Sequence, residues 1–183
     1  MKRFALLSIP MLFLLAFWPS QVAAQVDRVP TREANVHIVA RHADGSVFVD
    51  EWIHNLRTTG GADWQANAMG TTGSQPAAAT YIALTNDSAS PAAGDCAAGS
   101  SACTLPSEIT GNGCGRAQGT YAHSNGTTSW STSHTWTATG AQQVQKAGMF
   151  NASSSGTMAF EASFSQVTLA NTDTLTVTWT VSI

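Results

Sequence analysis

The last ten residues of the chain alternate strictly between apolar and hydroxyl-bearing side chains. Successive side chains of a β-strand point to opposite faces of the sheet, so this segment is expected to be a strand with one packed and one solvated face. The apolar row consists of Leu175, Val177, Trp179, Val181 and Ile183, and the hydroxyl row of Thr174, Thr176, Thr178, Thr180 and Ser182. The pattern indicates a sheet whose apolar face is covered by another layer.

Shorter strand-like segments recur along the rest of the chain and are separated by glycine-rich turns. They cover residues 36–41, 47–56, 81–84, 116–124, 127–139, 144–150 and 158–164. Together with the C-terminal segment they predict an all-β fold, an antiparallel β-sandwich of about eight strands. One short helix is expected near residues 60–69, with Trp64, Ala68 and Met69 on its buried side.

Two dipeptides indicate tight hairpin turns. Asp44-Gly45 lies between the first two predicted strands, and Asn125-Gly126 predicts a two-residue type I′ turn between 116–124 and 127–139. This turn would pair Tyr121 with Trp130. The packed face of the second strand would then carry Trp130, Thr132, His134 and Trp136.

The N-terminus has the three-part layout of a secretory signal peptide. A positively charged start precedes an apolar run over residues 4–18, and small residues follow at 22–24. The alternative, a transmembrane anchor, would need about 20 apolar residues. We expect a signal peptide over 1–24, a flexible leader over 25–34 and a single β-sandwich domain over 35–183. The product would be secreted or held at the cell surface, with no stable membrane span after cleavage.

The low charge of the chain limits its partners. Charged residues make up 10% of the sequence, well below the roughly 25% of a typical soluble domain. Beyond residue 24, six Lys and Arg remain against eleven Asp and Glu, which gives a net charge of −5. Nucleic-acid binding depends on neutralising phosphates with Lys and Arg, so nucleic acid is excluded as a partner.

The three cysteines agree with export. Cys96 and Cys103 bracket a flexible segment, and an oxidising compartment permits a disulfide between them. Cys114 is either free and buried or paired between chains. A zinc site is disfavoured, because structural zinc needs four ligands and no histidine lies near these cysteines in the sequence. We expect a Cys96–Cys103 disulfide, no metal and no cofactor.

Catalytic motifs of the common hydrolase, metalloprotease and nucleotide-binding families do not occur in the sequence. His37 and His42 are five residues apart, so a strand would point them to opposite faces. Glu161 stands alone on its predicted strand, whereas a glycosidase needs two facing carboxylates. No catalytic residue is assigned, and the chain is predicted not to be an enzyme.

The tryptophans admit two interpretations. Trp179 and Trp136 belong to alternating rows and are expected in the core, since large aromatic side chains supply apolar burial that a Ser/Thr-rich chain otherwise lacks. Trp130 shares the row of Trp136 and is likewise expected in the core, with exposure for ligand binding as its alternative. Trp52 and Trp130 are the candidate aromatic side chains for binding a sugar ring or another surface.

Five segments, taken in order, carry a resemblance to a known family. They are HNLRTTGGADW at 54–64, TYIALTND at 80–87 leading into PAAGD at 91–95, RAQGTY at 116–121, KAGMFNA at 146–152 and DTLTVTWTV at 173–181. Their order and spacing resemble small virion structural proteins of tailed bacteriophages, often described as tail-fibre-like or head-decoration-like. The resemblance covers about residues 35–183.

This resemblance implies a non-enzymatic, oligomerising β-sandwich that displays a surface, and it supplies no catalytic residues. The signal peptide and the cysteine-bracketed segment depart from the family and favour an exported relative, such as a cell-surface or filament subunit. We therefore expect an exported structural or assembly protein that associates with itself or with a cell-surface or virion partner. The alternatives are a secreted carbohydrate- or surface-binding module, and a hydrolase with an unrecognised site.

Overall fold

The computed structural model describes residues 34–182. The predicted signal peptide over 1–24, nearly all of the predicted leader over 25–34 and Ile183 lie outside the described residues. Within residues 34–182, ten strands form two five-stranded antiparallel sheets, and one α-helix lies beside them. This architecture confirms the predicted all-β sandwich. Within the described residues, no helix is long and apolar enough to cross a membrane.

The first sheet contains β1 (Ala34–Arg41), β2 (Val47–His54), β6 (Thr120–His123), β7 (Ser129–Thr137) and β10 (Thr174–Ser182). Its strand order is β2-β1-β10-β7-β6. The C-terminal strand therefore lies in the middle of the sheet, hydrogen-bonded to β1 on one side and to β7 on the other. The free edges of this sheet are β2 and β6.

The second sheet contains β3 (Leu56–Arg57), β4 (Tyr81–Thr85), β5 (Ala117–Gln118), β8 (Gln142–Phe150) and β9 (Met158–Leu169). Its strand order is β3-β9-β8-β4-β5. The long strands β8 and β9 lie beside each other, with irregular register after Val144 and before Phe150. Their pairing brings side chains that are distant in the sequence next to one another.

The main core lies between the two sheets and is built around β10. Leu175, Val177 and Trp179 are 0% exposed, and Val181 is 1% exposed. The Trp179 ring meets Phe160 of β9 with centroids 6.2 Å apart. The predicted apolar row is thus confirmed for the described part of the strand, and Trp136 is buried as expected.

A third layer packs against the second sheet: its helix begins beside the start of β9, and its loop segment covers the outer face of the sheet. It consists of α1 (Thr59–Gly70) and the segment 86–109, which includes a 3₁₀ turn at Ala93–Asp95. Arg116 fastens this segment, because its guanidinium donates to both carboxylate oxygens of Glu108 and lies 3.7 Å from the centre of the Phe150 ring. A small apolar cluster fills the space beneath, formed by Ala83, Cys96, Cys103, Leu105, Phe150 and Met158.

Two predicted strands change sheets, which is why ten strands are found instead of about eight. The predicted strand 47–56 leaves the first sheet at Asn55 and continues as β3 of the second. The predicted strand 116–124 divides at Gly119 into β5 of the second sheet and β6 of the first. A Cβ at Gly119 would lie 2.5 Å from the Thr132 side chain, so this crossing requires glycine.

A tight turn is centred on Asn125-Gly126 as predicted, with the Thr127 N–H donating to the Ser124 carbonyl at 3.1 Å, but the predicted type I′ conformation is wrong. Such a turn needs positive φ at both central residues, and here only the glycine has it, with a φ of 84°. The connection between β6 and β7 is longer, and the Thr127 hydroxyl closes it by donating to the carbonyl three residues earlier at 2.7 Å. Trp130 consequently pairs with His123 instead of Tyr121.

The helix is anchored at its N-terminus. The hydroxyl of the buried Thr58 accepts the N–H of Gly61 at 2.9 Å and donates to the carbonyl of Met158 on β9. The buried residues of the helix are Gly60 and Gly61, so the closest packing is made by its first turn. The prediction that Met69 faces the core is wrong for this reason, since its side chain is 65% exposed.

Two glycine-to-alanine substitutions in α1 should have opposite effects. Gly61→Ala should lower the free energy of unfolding by about 1–3 kcal/mol, because the new Cβ would lie 2.0 Å from the Ala159 carbonyl oxygen. Gly70→Ala meets nothing within 4 Å and should raise it by up to about 1 kcal/mol, since alanine favours helix. Urea denaturation measures both. Equal effects would contradict docking through the first turn.

Candidate functional site

Exposed apolar side chains lie at both edges of the first sheet. Among the described residues, the large apolar side chains that are exposed are Val47, Trp52, Met69 and Tyr121. Val47 and Trp52 belong to the edge strand β2, and Tyr121 belongs to the opposite edge strand β6. Met69 of α1 lines the same groove as Tyr121. Exposed apolar side chains grouped in this way are typical of contact surfaces.

At the β2 edge, Trp52 lies flat against a histidine of the neighbouring strand. His37 and Trp52 are register partners on β1 and β2, and their rings stack with centroids 4.1 Å apart and 6° between the planes. Nε2 of His37 lies 2.7 Å from Oδ1 of Asp50, which holds the imidazole in place. The indole is 64% exposed, so it is available to a ligand or another protein.

At the β6 edge, an apolar groove of about 230 Å³ lies between the helix and the sheet. Tyr121 and the half-buried Trp130 lie in its wall, with ring centroids 5.9 Å apart. Trp64 lies opposite, and its indole N–H donates to the Ala77 carbonyl at 2.8 Å. An apolar cavity of about 150 Å³ accepts benzene, so this groove has room for an aromatic side chain.

The two candidate aromatic residues therefore do not form one site. Trp52 lies on one edge strand of the first sheet, and Trp130 lies beside the other edge. Between the edges, the solvent face of the sheet carries paired hydroxyl groups. Ser133 and Thr178 are joined at 2.8 Å, and a second such pair joins Thr135 and Thr176 at 2.8 Å.

The predicted disulfide between Cys96 and Cys103 is present. Cys114 is free and buried, which selects one of the two alternatives expected for it. Burial raises the pKa of the Cys114 thiol. Since the thiolate is the reactive form of cysteine, this thiol is a packing group and not a nucleophile.

A lysine and two carboxylates meet beneath the third layer. Nζ of Lys146 on β8 lies 2.7 Å from Oδ2 of Asp87 and 3.2 Å from Oε1 of Glu161 on β9. The side chains of Lys146 and Glu161 are 1% and 0% exposed, and that of Asp87 is 23% exposed. Neither oxygen of Glu161 has an aligned hydrogen bond. Glu161 is the only acid of its strand, as expected, but strand pairing and the third layer bring Lys146 and Asp95 beside it from other elements.

The surroundings shift the pKa values of all three groups. Burial and the adjacent Asp95 carboxyl raise the pKa of Glu161 to about 7, against the opposing effect of Lys146. Burial lowers the pKa of Lys146, but its contacts with Asp87 and Glu161 outweigh burial and leave the pKa above its ordinary value. The hydrogen bond from Lys146 holds the pKa of Asp87 low. Near neutral pH, Glu161 can therefore both hold and release a proton.

One signal in the sequence could have indicated this cluster. Lys146 is the only lysine beyond residue 24, and it lies within an otherwise uncharged strand segment. A lysine in such a strand needs a buried anionic partner. The partners could not be identified from the pattern, because Asp87 is 59 residues away from Lys146 in the chain.

Comparisons with protein-family models, with curated proteins and with solved structures find no match for this chain. The resemblance to phage virion proteins therefore stays a prediction. The function is inferred from the exposed sheet edges, the groove and the buried cluster.

The pH dependence of stability should reveal Glu161. Because the native state raises the pKa of Glu161 from 4.5 to about 7, it binds this proton more tightly than the unfolded chain does. The free energy of unfolding should therefore fall as the pH rises through this interval, by about 3 kcal/mol in total. Glu161→Gln should flatten the profile, measured by urea denaturation at a series of pH values.

An exposed carboxylate supplies the matched control for this measurement. Asp63→Asn removes a charge from the exposed face of α1 and should leave the decline intact. A wild-type stability that rises between pH 4.5 and 7 would show that Glu161 is not held in its protonated form.

Proposed function

We propose that the protein is an exported, non-enzymatic structural or assembly protein whose copies associate edge to edge through the first sheet. The observation that carries this proposal is the grouping of exposed apolar side chains at both free edges of the same sheet. Export is supported by the signal-peptide pattern of the sequence, and the resemblance to virion structural proteins supports an assembly role.

The β6 edge has features that favour pairing. Natural proteins protect free edge strands with lysine, proline, bulges or covering segments. The four residues of β6 are all exposed and contain neither lysine nor proline. The edge therefore presents free backbone groups to another strand, next to an apolar groove.

The two edges are complementary and not alike. Trp52 presents an exposed ring face at the β2 edge, whereas the β6 edge has the groove. Seating Trp52 of one copy in the groove of the next is a head-to-tail contact. Such a contact uses different surfaces on the two copies, so it produces rings or filaments.

Sedimentation velocity over a concentration series tests this proposal on the chain without residues 1–24. The wild type should form species larger than a dimer as its concentration rises.

The variants test which edges meet. Trp52→Arg removes the exposed indole ring at the β2 edge, and Tyr121→Arg places a charge beside the groove, so each variant alone should be monomeric. A 1:1 mixture should form a dimer and nothing larger, since one intact edge of each kind remains. Thr135→Arg, on the solvent face between the edges, should assemble like the wild type.

Two results would count against this mode of association. A wild type that stays monomeric at every concentration would exclude self-assembly. Self-association of Trp52→Arg alone would show that like edges meet, as in a closed symmetric dimer.

A secreted carbohydrate-binding module is the second candidate function, and the exposed face of Trp52 favours it. The ring stacks on His37 beside the hydroxyl-rich solvent face of the sheet. Aromatic faces and polar hydrogen-bonding groups together suit a sugar ring.

Glycan-array binding followed by calorimetry tests this second candidate. Trp52→Ala should abolish binding of a glycan, whereas Trp130→Ala and Tyr121→Arg should leave it unchanged, because both of those residues lie at the opposite edge. Absence of any bound glycan would remove the candidate. Loss of binding in Tyr121→Arg would place the sugar in the groove instead.

A further inference from the structure

The proposed assembly does not use the buried group formed by Lys146, Asp87 and Glu161. An amine, a carboxyl that it contacts and a second carboxyl able to carry a proton lie together beneath the segment 86–109. The amine nitrogen is 2.7 Å from an oxygen of Asp87. Because that oxygen is bonded to Cγ, the contact places the nitrogen beside the carbon that it would attack, as a reaction between positioned groups requires.

An ion pair alone explains this arrangement poorly. The cost of removing two charges from water can exceed their mutual attraction in the interior. Here Lys146 contacts the Asp87 carboxylate and also a second carboxyl, that of Glu161, which is fully buried and has no aligned hydrogen bond. Conversion of the ammonium and the carboxylate to a neutral amide would remove both charges from the interior.

We propose that Lys146 Nζ and Asp87 Cγ form an amide bond, an intramolecular isopeptide cross-link, and that Glu161 carries the proton required for this reaction. The acceptor is assigned to Asp87 because its carboxylate contacts Nζ directly. Asp95 also lies near Glu161, but its Oδ2 accepts the backbone N–H of Ala92 at 2.8 Å.

The reaction is a condensation that is balanced without a co-reactant. One proton moves from the Lys146 ammonium to the Asp87 carboxylate, which leaves a neutral amine and a neutral acid. The nitrogen lone pair then attacks Cγ and forms the C–N bond. Glu161 accepts a proton from the nitrogen and delivers it to the departing oxygen, the C–O bond breaks, and water leaves. Nothing is oxidised or reduced, and Glu161 returns to its initial protonation state.

The surroundings suit each step. Lys146 and Glu161 are enclosed, so bulk water does not compete for the proton, whereas Asp87 is 23% exposed and gives the product water a path to solvent. The raised pKa of Glu161, about 7, allows it to accept and to donate a proton near neutral pH. The product would covalently join the segment that follows β4, at Asp87, to β8, the neighbour of β4 in the second sheet.

Intact mass spectrometry of the purified, denatured wild-type chain tests the cross-link. The mass should be lower than the sequence mass by one water molecule, in addition to the two hydrogens lost to the disulfide. Protease digestion should yield a branched peptide in which Lys146 is joined to Asp87, identified by fragmentation. A wild type that has its full mass apart from the disulfide overturns the proposal, whatever the variants do.

Variants assign the roles. Lys146→Arg and Asp87→Ala should lack the loss of water, and Glu161→Gln should lack it too, because an amide cannot carry the proton. Asp63→Asn, on the exposed face of α1, is the matched control and should lose water like the wild type. Circular dichroism establishes that each variant is folded. A cross-link that persists in folded Glu161→Gln would remove the proton-carrying role, and a branched peptide containing Asp95 would overturn the assignment of the acceptor.

Discussion

The strand β10 has backbone partners on both sides and has its apolar face enclosed against the second sheet. Each buried Leu or Val side chain contributes roughly 1.5–3 kcal/mol, and a domain is stable by only about 5–15 kcal/mol in total. Because only 10% of the residues are charged, it is mainly this apolar burial that holds the two sheets together. The edges, the groove and the buried cluster keep their positions because β10 fixes the two sheets against each other.

Apart from the type I′ conformation at Asn125-Gly126, the sequence predicted what depends on neighbouring residues and missed what depends on distant ones. Strand faces follow a two-residue period, so the enclosure of Trp179 and the disulfide across a short segment were predicted correctly. The changes of sheet at Asn55 and Gly119 depend on which strand lies alongside, and no local pattern records that. For the same reason the sequence gives Glu161 no visible partner, since its contact with Lys146 arises only when β8 and β9 pair. Trp52 was correctly considered for exposure, but the groove beside Trp130 combines residues of a helix and a sheet.

The third layer is held mainly by a disulfide and by ion pairs, because its long segment 86–109 contains few large apolar residues. The disulfide closes one part of it, and the Arg116 guanidinium fastens another by pairing with Glu108 over Phe150. Lys146 binds a third part through Asp87. A disulfide is also the tie that an oxidising compartment permits, and an amide would be stable there as well.

The proposed association uses the edges of the first sheet, whereas the proposed cross-link lies in the second sheet and the layer that covers it. Edge-to-edge association would run along the first sheet, from β2 through β10 to β6. It would cover the groove side of α1 and leave the segment 86–109 uncovered. A surface that is displayed in this way lacks the protection of an interface. It must therefore be stabilised from within the chain. Where apolar burial is small, the disulfide within the layer and the proposed amide bond to β8 stabilise it against unfolding.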